Sequence, residues 1–224
     1  MNSETKYCKV AVVHHAIRMG LKKFVLVLLS RPSTGKGKLA DFLGTVGFTT
    51  VSCSGALTEM AESDPSNPEM QEILSNLAKG VFAKDSSVFK AMDRKLALVG
   101  KHSPMVLDGF PRKLPQVSIL GNIIVERQIP SMVLELFCTR EEANNRRIAR
   151  IHEAHKDGNP PRAADISVER WNDRQDEYEA NYDELVGSLK AQVDCYKLLD
   201  TTDRQKAENH ARAFNEILRF AYSF

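Results

Sequence analysis

The sequence predicts an α/β protein in which a central parallel sheet of about five strands is flanked by helices. Five short runs that favour strands, most of them apolar, alternate with longer polar stretches that favour helices. These runs cover residues 24–29, 48–52, 105–107, 132–137 and, more weakly, 196–199. With 224 residues, of which 42% are hydrophobic, the chain is long enough to bury one sizeable core around such a sheet.

The first strand and the first helix are expected near the start of this pattern. Run 24–29 is unbroken by polar residues, which is typical of a strand buried on both faces. Residues 35–44 carry apolar side chains at spacings compatible with a helix that ends at Gly44. Residues 48–52 then return to strand-forming types. A strand, a helix and a second strand in this order predict a crossover between parallel strands.

Two segments interrupt the alternation of strands and helices. Residues from 53 to about 83 hold no strand signal but include a helical stretch at 68–78, so we predict a small helical insertion there. Residues 152–165 are rich in His, Lys, Gly, Pro and Arg and poor in apolar types, which is typical of a mobile surface loop. We therefore expect both segments to lie outside the core.

Charge and cysteine content narrow the class of function. Lys and Arg total 31 against 29 Asp and Glu, so the chain lacks the overall positive charge of a nucleic-acid-binding protein. Its longest strongly apolar run, 24–29, is far too short to cross a bilayer. Scattered cysteines (Cys8, Cys53, Cys138 and Cys195) favour a reducing, cytoplasmic setting. We expect a monomer with neither a nucleic-acid nor a membrane partner.

A candidate phosphate-binding loop lies between the first strand and the first helix. It reads Ser30-Arg31-Pro32-Ser33-Thr34-Gly35-Lys36-Gly37-Lys38. Backbone N–H groups in such a loop point inward, and the next helix adds positive potential, so phosphate oxygens can bind there beside a lysine. The general G-x-x-x-x-G-K-[ST] pattern requires glycine at the position of Ser30 and serine or threonine at the position of Gly37, so this loop does not match it. Taken alone, the loop is compatible with a phosphate site or with an ordinary turn.

A second motif follows the third apolar run and favours the phosphate site. It consists of Asp108-Gly109-Phe110-Pro111-Arg112 and Gln116. Together with the Gly-Lys-Gly loop, this set resembles the adenylate kinase family of nucleoside monophosphate kinases, whose loop reads G-x-P-G-x-G-K-G-T. The resemblance runs from about residue 22 to the C-terminus. Further matches lie at 53–57, 79–82 and 162–165, and at Arg146, Arg150, Arg174 and Tyr178.

The resemblance implies a three-layer P-loop nucleoside monophosphate kinase fold over residues 22–224, preceded by an N-terminal extension at 1–21. In this fold, the insertion at about 53–83 would bind the nucleoside monophosphate, and residues 152–165 would form a short lid. The lid carries no Cys or His set at metal-ligand spacing, so we expect no zinc in it. The implied reaction is phosphoryl transfer from ATP, accompanied by Mg²⁺, to a nucleoside monophosphate, with AMP favoured.

The resemblance also assigns the donor site. The expected ATP-binding residues are Thr34, Gly35, Lys36, Gly37, Lys38 and Arg146. Lys36 and the loop backbone would hold the β- and γ-phosphates, and Arg146 would pack on the adenine. Asp108 would orient the waters around Mg²⁺, since magnesium keeps much of its hydration shell.

The acceptor site and the lid supply the remaining expected residues. For the acceptor these are Ser54, Gly109, Arg112 and Gln116. Arg112 would grip the acceptor phosphate, and Gln116 would read the base, because an amide offers both a donor and an acceptor. Arg150, Arg162 and Arg174 would close on the transferring phosphates, and with Lys36 and Asp108 they form the expected catalytic set.

Several positions depart from the family pattern and leave two hypotheses open. The departures are Ser30, Ser33, Lys38, Ala56, Glu59 and Ala164. Glu59 stands where the family has an arginine for the acceptor phosphate, so we expect repulsion and weak acceptor binding. The retained basic residues favour an active nucleoside monophosphate kinase. The departures favour a catalytically weak or inactive nucleotide-binding module with the same fold.

Overall fold

The computed structural model describes residues 23–81, 83–98, 104–202 and 205–224. Within them, five strands form one parallel sheet in the order β2-β3-β1-β4-β5. The strands are β1 (Val25–Ser30), β2 (Thr49–Ser52), β3 (Met105–Asp108), β4 (Ser131–Phe137) and β5 (Cys195–Asp200). Each strand lies at one of the five runs predicted to form strands, so the predicted α/β fold is confirmed. The predicted extension at 1–21 lies outside the described residues.

Helices connect the strands and cover both faces of the sheet. They are α1 (Lys36–Thr45), α2 (Cys53–Glu62), α3 (Pro68–Ala78), α4 (Asp85–Leu98), α5 (Leu114–Arg127), α6 (Arg140–Lys156), α7 (Ala163–Ile166), α8 (Val168–Gln192) and α9 (Lys206–Ala221). In the part of the chain that the structure describes, no helix combines the length and the apolar character that crossing a membrane requires.

Strand β1 lies at the centre of the sheet, between β3 and β4. Alternate side chains of a strand point to opposite faces. Val27 and Leu29 therefore join the core on one face, while Leu26 and Leu28 join the core on the other. Burial on both faces explains why this run is continuously apolar.

The two cores give the molecule three layers. On one face, α1 and α9 pack on the sheet, with Leu39 and Leu43 from α1 and Phe214 and Ile217 from α9 buried there. On the other face, helices α2 to α5 and α8 contribute the buried side chains. This arrangement is a three-layer α/β P-loop kinase fold, as the sequence predicts.

The helical stretch predicted at 68–78 is α3, and α2 precedes it. Helix α2 begins directly after β2, where the Ser52 hydroxyl accepts a hydrogen bond of 3.0 Å from the Gly55 N–H and caps the helix. Asn67 caps α3 in the same way through the Glu69 N–H. The first cap starts α2 at the carboxyl end of β2, and the second starts α3 after the intervening turn. A nucleotide-binding role for this insertion remains a prediction.

The polar segment 152–165 is a shorter loop than the sequence suggests. Helix α6 continues to Lys156, so His152 and His155 are exposed helical residues, and the loop covers only 157–162 before α7. Basic residues in the last turn, His155 and Lys156, favour this helix end because they interact well with its carbonyl groups. The expectation of a loop from residue 152 was wrong, because a polar sequence also suits a solvated helix.

Candidate active site

A cleft of about 820 Å³ opens at the carboxyl ends of β1, β2 and β3. This edge is where open parallel sheets bind ligands. Strand β1 ends at the loop 30–38, while Ser52 at the end of β2 is paired in register with Asp108 at the end of β3. On the opposite side, the cleft is lined by Arg150, Asp165 and Arg174 from α6 to α8. Strand order therefore brings distant segments of the sequence to one cavity.

All predicted site residues except Arg146 line this cleft. They are Thr34, Gly35, Lys36, Gly37, Lys38, Ser54, Asp108, Gly109, Arg112, Gln116, Arg150, Arg162 and Arg174. Their sequence positions span most of the chain, yet they share one cavity. The chemical role of each one remains a proposal.

The loop after β1 has the backbone form of an anion site. Gly35 adopts a left-handed conformation with φ of 104°, which glycine accepts at little cost. The N–H groups of Lys38 and Leu39 both bond to the Gly35 carbonyl, at 3.1 and 3.3 Å, so α1 starts immediately after it. The first N–H groups of a helix have no partner within it, and its dipole is positive at that end. The loop can therefore accept phosphate oxygens.

Lys36 and Asp108 meet on the floor of the cleft. The Lys36 Nζ donates a hydrogen bond to the Asp108 Oδ1, and each side chain is only 18% exposed. Burial lowers the pKa of Lys36 below its ordinary value of 10.5, the Asp108 carboxylate opposes that shift, and nearby Arg112 and Arg174 reinforce it. Asp108 thus offsets part of the cost of burying the ammonium group.

Arg150 joins the lid to the phosphate loop. Its Nη2 donates to the Asp165 Oδ1 at 2.7 Å and to the Ser33 Oγ at 3.1 Å. Asp165 is only 2% exposed. The Asp165 Oδ2 and the Arg150 Nε are both buried and have no hydrogen-bond partner among the residues that the structure describes. A ligand that enters the cleft could therefore accept a hydrogen bond from the Arg150 Nε or donate one to the Asp165 Oδ2.

Ser33 stands where the related loop has glycine, and its backbone shows the consequence. Its φ is 71°, a left-handed value that is uncommon for residues other than glycine. Its hydroxyl accepts hydrogen bonds from Arg150 and, at 3.4 Å, from the Trp171 Nε1. The added side chain is therefore held by α6 and α8.

Positive charge is concentrated around Arg174 on α8. Burial lowers the pKa of the Arg174 guanidinium to about 10, and repulsion from Arg112, Arg150 and Arg162 adds to the shift, which Asp165 partly opposes. A polyanion bound among these groups would relieve the repulsion. The electrostatics of the cleft therefore favour phosphate-bearing ligands.

Beyond the end of β3, Arg112 and Gln116 are linked by a hydrogen bond. The Arg112 Nε donates to the Gly109 carbonyl, and the Arg112 backbone N–H donates to the Gln116 Oε1, both at 2.9 Å. The Gln116 Nε2 donates to the Asp85 Oδ1 at 2.7 Å. Asp85 was not predicted as a site residue, because it belongs to none of the recognised motifs and is found only through this contact.

Arg146 is the one predicted site residue that does not line the cleft. Its guanidinium donates to the Thr34 carbonyl at 2.8 Å, to the Glu142 Oε1 at 2.6 Å and to Thr201 at the end of β5. These bonds tie the phosphate loop to the last strand. They occupy the N–H edge of the guanidinium, whereas stacking on a base uses its flat face. The predicted adenine contact remains a proposal.

Glu59 does not face the acceptor site, contrary to the sequence-based expectation. Both of its carboxylate oxygens accept from the Lys95 Nζ at 2.7 Å, and its side chain is 59% exposed. Ser54 lines the cleft, and Glu59 follows five residues later, roughly 140° further around the α2 axis. The helix therefore turns Glu59 towards α4, so the expected repulsion of the acceptor phosphate is absent from this structure.

A set of buried polar residues supports the lid and was missed in the sequence. Arg147 is buried, and its Nη1 donates to the Asp165 carbonyl at 2.6 Å. Gln175 is also buried, accepts from Arg31 at 3.0 Å and donates to the Pro32 carbonyl at 3.2 Å. Trp171 and Gln175 lie four residues apart on the inward face of α8. This four-residue spacing was the one sequence feature that could have indicated that Gln175 faces inward.

The lid also touches the helical insertion. A Cβ placed on Gly80 would lie 2.6 Å from the Cβ of Ala164, so the two backbones approach as closely as a glycine allows. Nearby, the Arg170 Nη1 donates to the Lys79 carbonyl at 2.7 Å. The segments on either side of the cleft mouth are therefore in contact.

Fold and site together define the class of protein: a three-layer P-loop kinase fold with its phosphate loop facing a group of arginines. Adenylate kinase of Giardia intestinalis is 31% identical over 162 residues, or 68% of this chain and 63% of that protein. Adenylate kinase of Borrelia turicatae is 27% identical over 125 residues, which are 55% of this chain and 58% of that protein. Adenylate kinase of Coxiella burnetii is 27% identical over 166 residues, which are 67% of this chain and 69% of that protein.

The chain is thus a relative of the adenylate kinases. It spans about three fifths of the length of the Borrelia and Giardia proteins that it matches. No family model matches the chain.

Proposed function

We propose that this protein transfers a phosphoryl group from ATP to AMP and so forms two molecules of ADP. One observation carries the proposal: a phosphate-type loop, an aspartate and a set of basic side chains share one cleft. The basic side chains are Lys36, Arg112, Arg150, Arg162 and Arg174. Gathering so many like charges in one cleft does not serve stability, which points to an anionic ligand.

The donor site would lie between the phosphate loop and Asp108. Lys36 and the N–H groups at the start of α1 would hold the β- and γ-phosphates, and Lys38 would add a second ammonium group in the first turn. The Asp108 Oδ2 lies 3.9 Å from where a Cβ on Gly37 would be, so this carboxylate is close enough to the loop to hold hydrated Mg²⁺ through water. When bound, the metal would neutralise phosphate charge.

The acceptor site would lie between β3 and the helical insertion at about 53–83. Arg112 would bind the AMP phosphate, with the Gly109 carbonyl holding its guanidinium in place. Gln116 and Ser54 would contact the base. Both substrates would then meet in the cavity of about 820 Å³ with their phosphates between the two groups of basic residues.

The lid residues would act on the transferring group. Phosphoryl transfer depends mainly on in-line positioning and on stabilising charge at the phosphoryl oxygens. Arg150, Arg162 and Arg174 supply that charge. The close approach of Gly80 and Ala164 lies beside the cleft and would help to keep water from the phosphates.

The second candidate, a nucleotide-binding module with weak or no turnover, draws on a different observation. The Arg150 guanidinium donates a hydrogen bond to Ser33, and the Lys36 ammonium group donates one to Asp108. If these contacts persist with nucleotide bound, both cations are withheld from the phosphates. We favour the enzyme because each contact can be exchanged for a bond to phosphate. We further propose that the protein acts as a monomer in the cytoplasm.

A coupled assay of ADP formation tests the proposal directly. ATP and Mg²⁺ are supplied with AMP, CMP, UMP or GMP, and binding of ATP is measured separately by calorimetry. We expect ADP formation that depends on the monophosphate and is fastest with AMP. Tight ATP binding without ADP formation for any of the four would favour the binding module instead.

A further inference from the structure

We propose that Asp85 selects acceptor bases that carry an exocyclic amino group. The inference rests on the proposed function and names the substrate class of its acceptor site. It starts from the contact between Asp85, at the first residue of α4, and Gln116 on α5. Both side chains belong to residues that line the cleft.

Two protein groups fix which way the Gln116 amide faces. Its Oε1 accepts from the Arg112 backbone N–H at 2.9 Å, and its Nε2 donates to the Asp85 Oδ1 at 2.7 Å. Rotating the amide by 180° would place its NH₂ group against the Arg112 N–H, and its oxygen against the Asp85 carboxylate. Gln116 is only 4% exposed, so water cannot readily compensate for either clash. The protein, and not the base, therefore decides the orientation of this amide.

The fixed amide and the carboxylate together present a defined polar edge. The Gln116 Nε2 keeps its second N–H as a donor, and an ionised carboxylate such as Asp85 can only accept hydrogen bonds. Asp85 is exposed to solvent in the absence of a ligand, so its remaining lone pairs are accessible from the cleft. Apolar side chains of Leu57, Val81 and Val88 line the same cavity and suit the faces of a flat ring.

This edge complements some bases and repels others. Adenine and cytosine present an amino group next to an unprotonated ring nitrogen, which matches a carboxylate acceptor next to an amide donor. Uracil and hypoxanthine present a carbonyl oxygen where the amino group would be, and that oxygen would face the Asp85 carboxylate with no proton between them. Once a bound base covers the two groups, a polar mismatch of this kind discriminates between otherwise similar ligands.

Calorimetry with AMP and inosine monophosphate isolates this feature, since the two ligands differ in the exocyclic group and the adjacent ring proton. For the unmodified chain, we expect AMP to bind at least tenfold more tightly than inosine monophosphate. In Asp85→Asn, the new amide oxygen can accept from Gln116 while its NH₂ group faces the base, so the preference should shrink to less than threefold or reverse. Asp93→Asn, on the exposed side of the same helix, is the matched control and should keep the tenfold preference.

Each contrary result has a distinct meaning. Equal binding of the two ligands by the unmodified chain overturns the inference but leaves phosphoryl transfer intact. A parallel loss of both ligands in Asp85→Asn, with the preference unchanged, also overturns it and gives Asp85 a purely structural role. If ATP binds and neither monophosphate does, the proposed function fails, and the inference fails with it.

Discussion

Lys36 and Asp108 are hydrogen-bonded to each other across the floor of the cleft, although 72 residues separate them in the sequence. The order of the strands produces this contact: β3 lies beside β1, Leu28 pairs with Asp108, and Lys36 begins the helix after β1. An incoming phosphate group must therefore share or replace an existing ion pair. The strength of that pair bears on ATP affinity and on its dependence on pH.

Replacing Lys36 by methionine tests the donor site. Lys36→Met removes the ammonium group that would stabilise the transferring phosphoryl, so ADP formation should fall by about 10²- to 10³-fold. The side chain reaches into the cleft and not into the core, and the far-ultraviolet circular dichroism should be unchanged. Lys90→Met is the control, because Lys90 is exposed on α4 and pairs only loosely with Glu69, at 3.7 Å. Unchanged turnover in Lys36→Met would remove Lys36 from the site.

Replacing Asp108 by asparagine tests the link between charge and pH. Burial lowers the pKa of Lys36, and Asp108 opposes the shift, so Asp108→Asn should lower that pKa further. Lysine is charged below its pKa, and phosphate binding needs the charged form. The loss of ATP affinity on raising the pH should therefore begin at a lower pH in the variant. Calorimetry without metal from pH 7 to pH 10 measures this, and identical profiles would contradict it.

The sequence predicts the centre of the sheet well because β1, β3 and β4 are buried along most of their length and are therefore rich in apolar residues. It also predicts the cleft, since the motifs at Lys36 and Asp108 follow directly after strands. The direction of the Glu59 side chain, in contrast, could not be predicted from the motifs. Its direction depends on where α2 starts and on the partner Lys95 in α4, and neither can be read from a motif.

The placement of Glu59 gives a prediction opposite to the one from sequence. Because Glu59 bonds to Lys95 outside the cleft, Glu59→Arg should leave AMP affinity within twofold of the unmodified chain. It would replace an exposed ion pair by two like charges and lower the free energy of unfolding by only about 0.5 kcal/mol after solvent screening. Calorimetry and urea unfolding measure the two effects. Tenfold tighter AMP binding would show that Glu59 does reach the acceptor phosphate.

Gly80 and Gly158 form a matched pair for testing closure of the cleft. Both have left-handed backbones, with φ of 71° and 69°, so alanine strains each to a similar degree, about 1 kcal/mol. At Gly80 the new Cβ would collide with Ala164, whereas at Gly158 no atom of the described part of the chain lies within 4 Å of it. Gly80→Ala should therefore reduce ADP formation at least tenfold, while Gly158→Ala should reduce it less than twofold. Equal effects would show that the contact does not govern closure.

Ser33 permits a separation of backbone strain from side-chain contact. Ser33→Gly and Ser33→Ala both remove the hydroxyl that Arg150 and Trp171 bind, but only glycine relieves the left-handed backbone. We expect Ser33→Gly to be more stable than Ser33→Ala by about 1 kcal/mol in denaturant unfolding. Freed from Ser33, Arg150 should also raise the affinity for ATP several-fold in both variants. Unchanged ATP affinity would mean that Arg150 leaves Ser33 at no cost.

The lid and the residues behind it were the least predictable parts of the site. Arg147 and Gln175 are polar and buried, and their hydrogen bonds go to backbone carbonyls far away in sequence. A motif search favours side chains that would touch the substrate. It does not find side chains that position those groups, because the distant backbone partners become visible only in the folded chain.

Incubation with ADP and Mg²⁺ alone tests the central claim most directly. An enzyme that transfers a phosphoryl group between ATP and AMP must also run in reverse, so two molecules of ADP should yield ATP and AMP in equal amounts, with no release of inorganic phosphate. Anion-exchange chromatography of the nucleotides follows both products, and Lys36→Met should produce neither. If the unmodified chain forms no ATP from ADP, or releases phosphate in its place, phosphoryl transfer between nucleotides is not its activity.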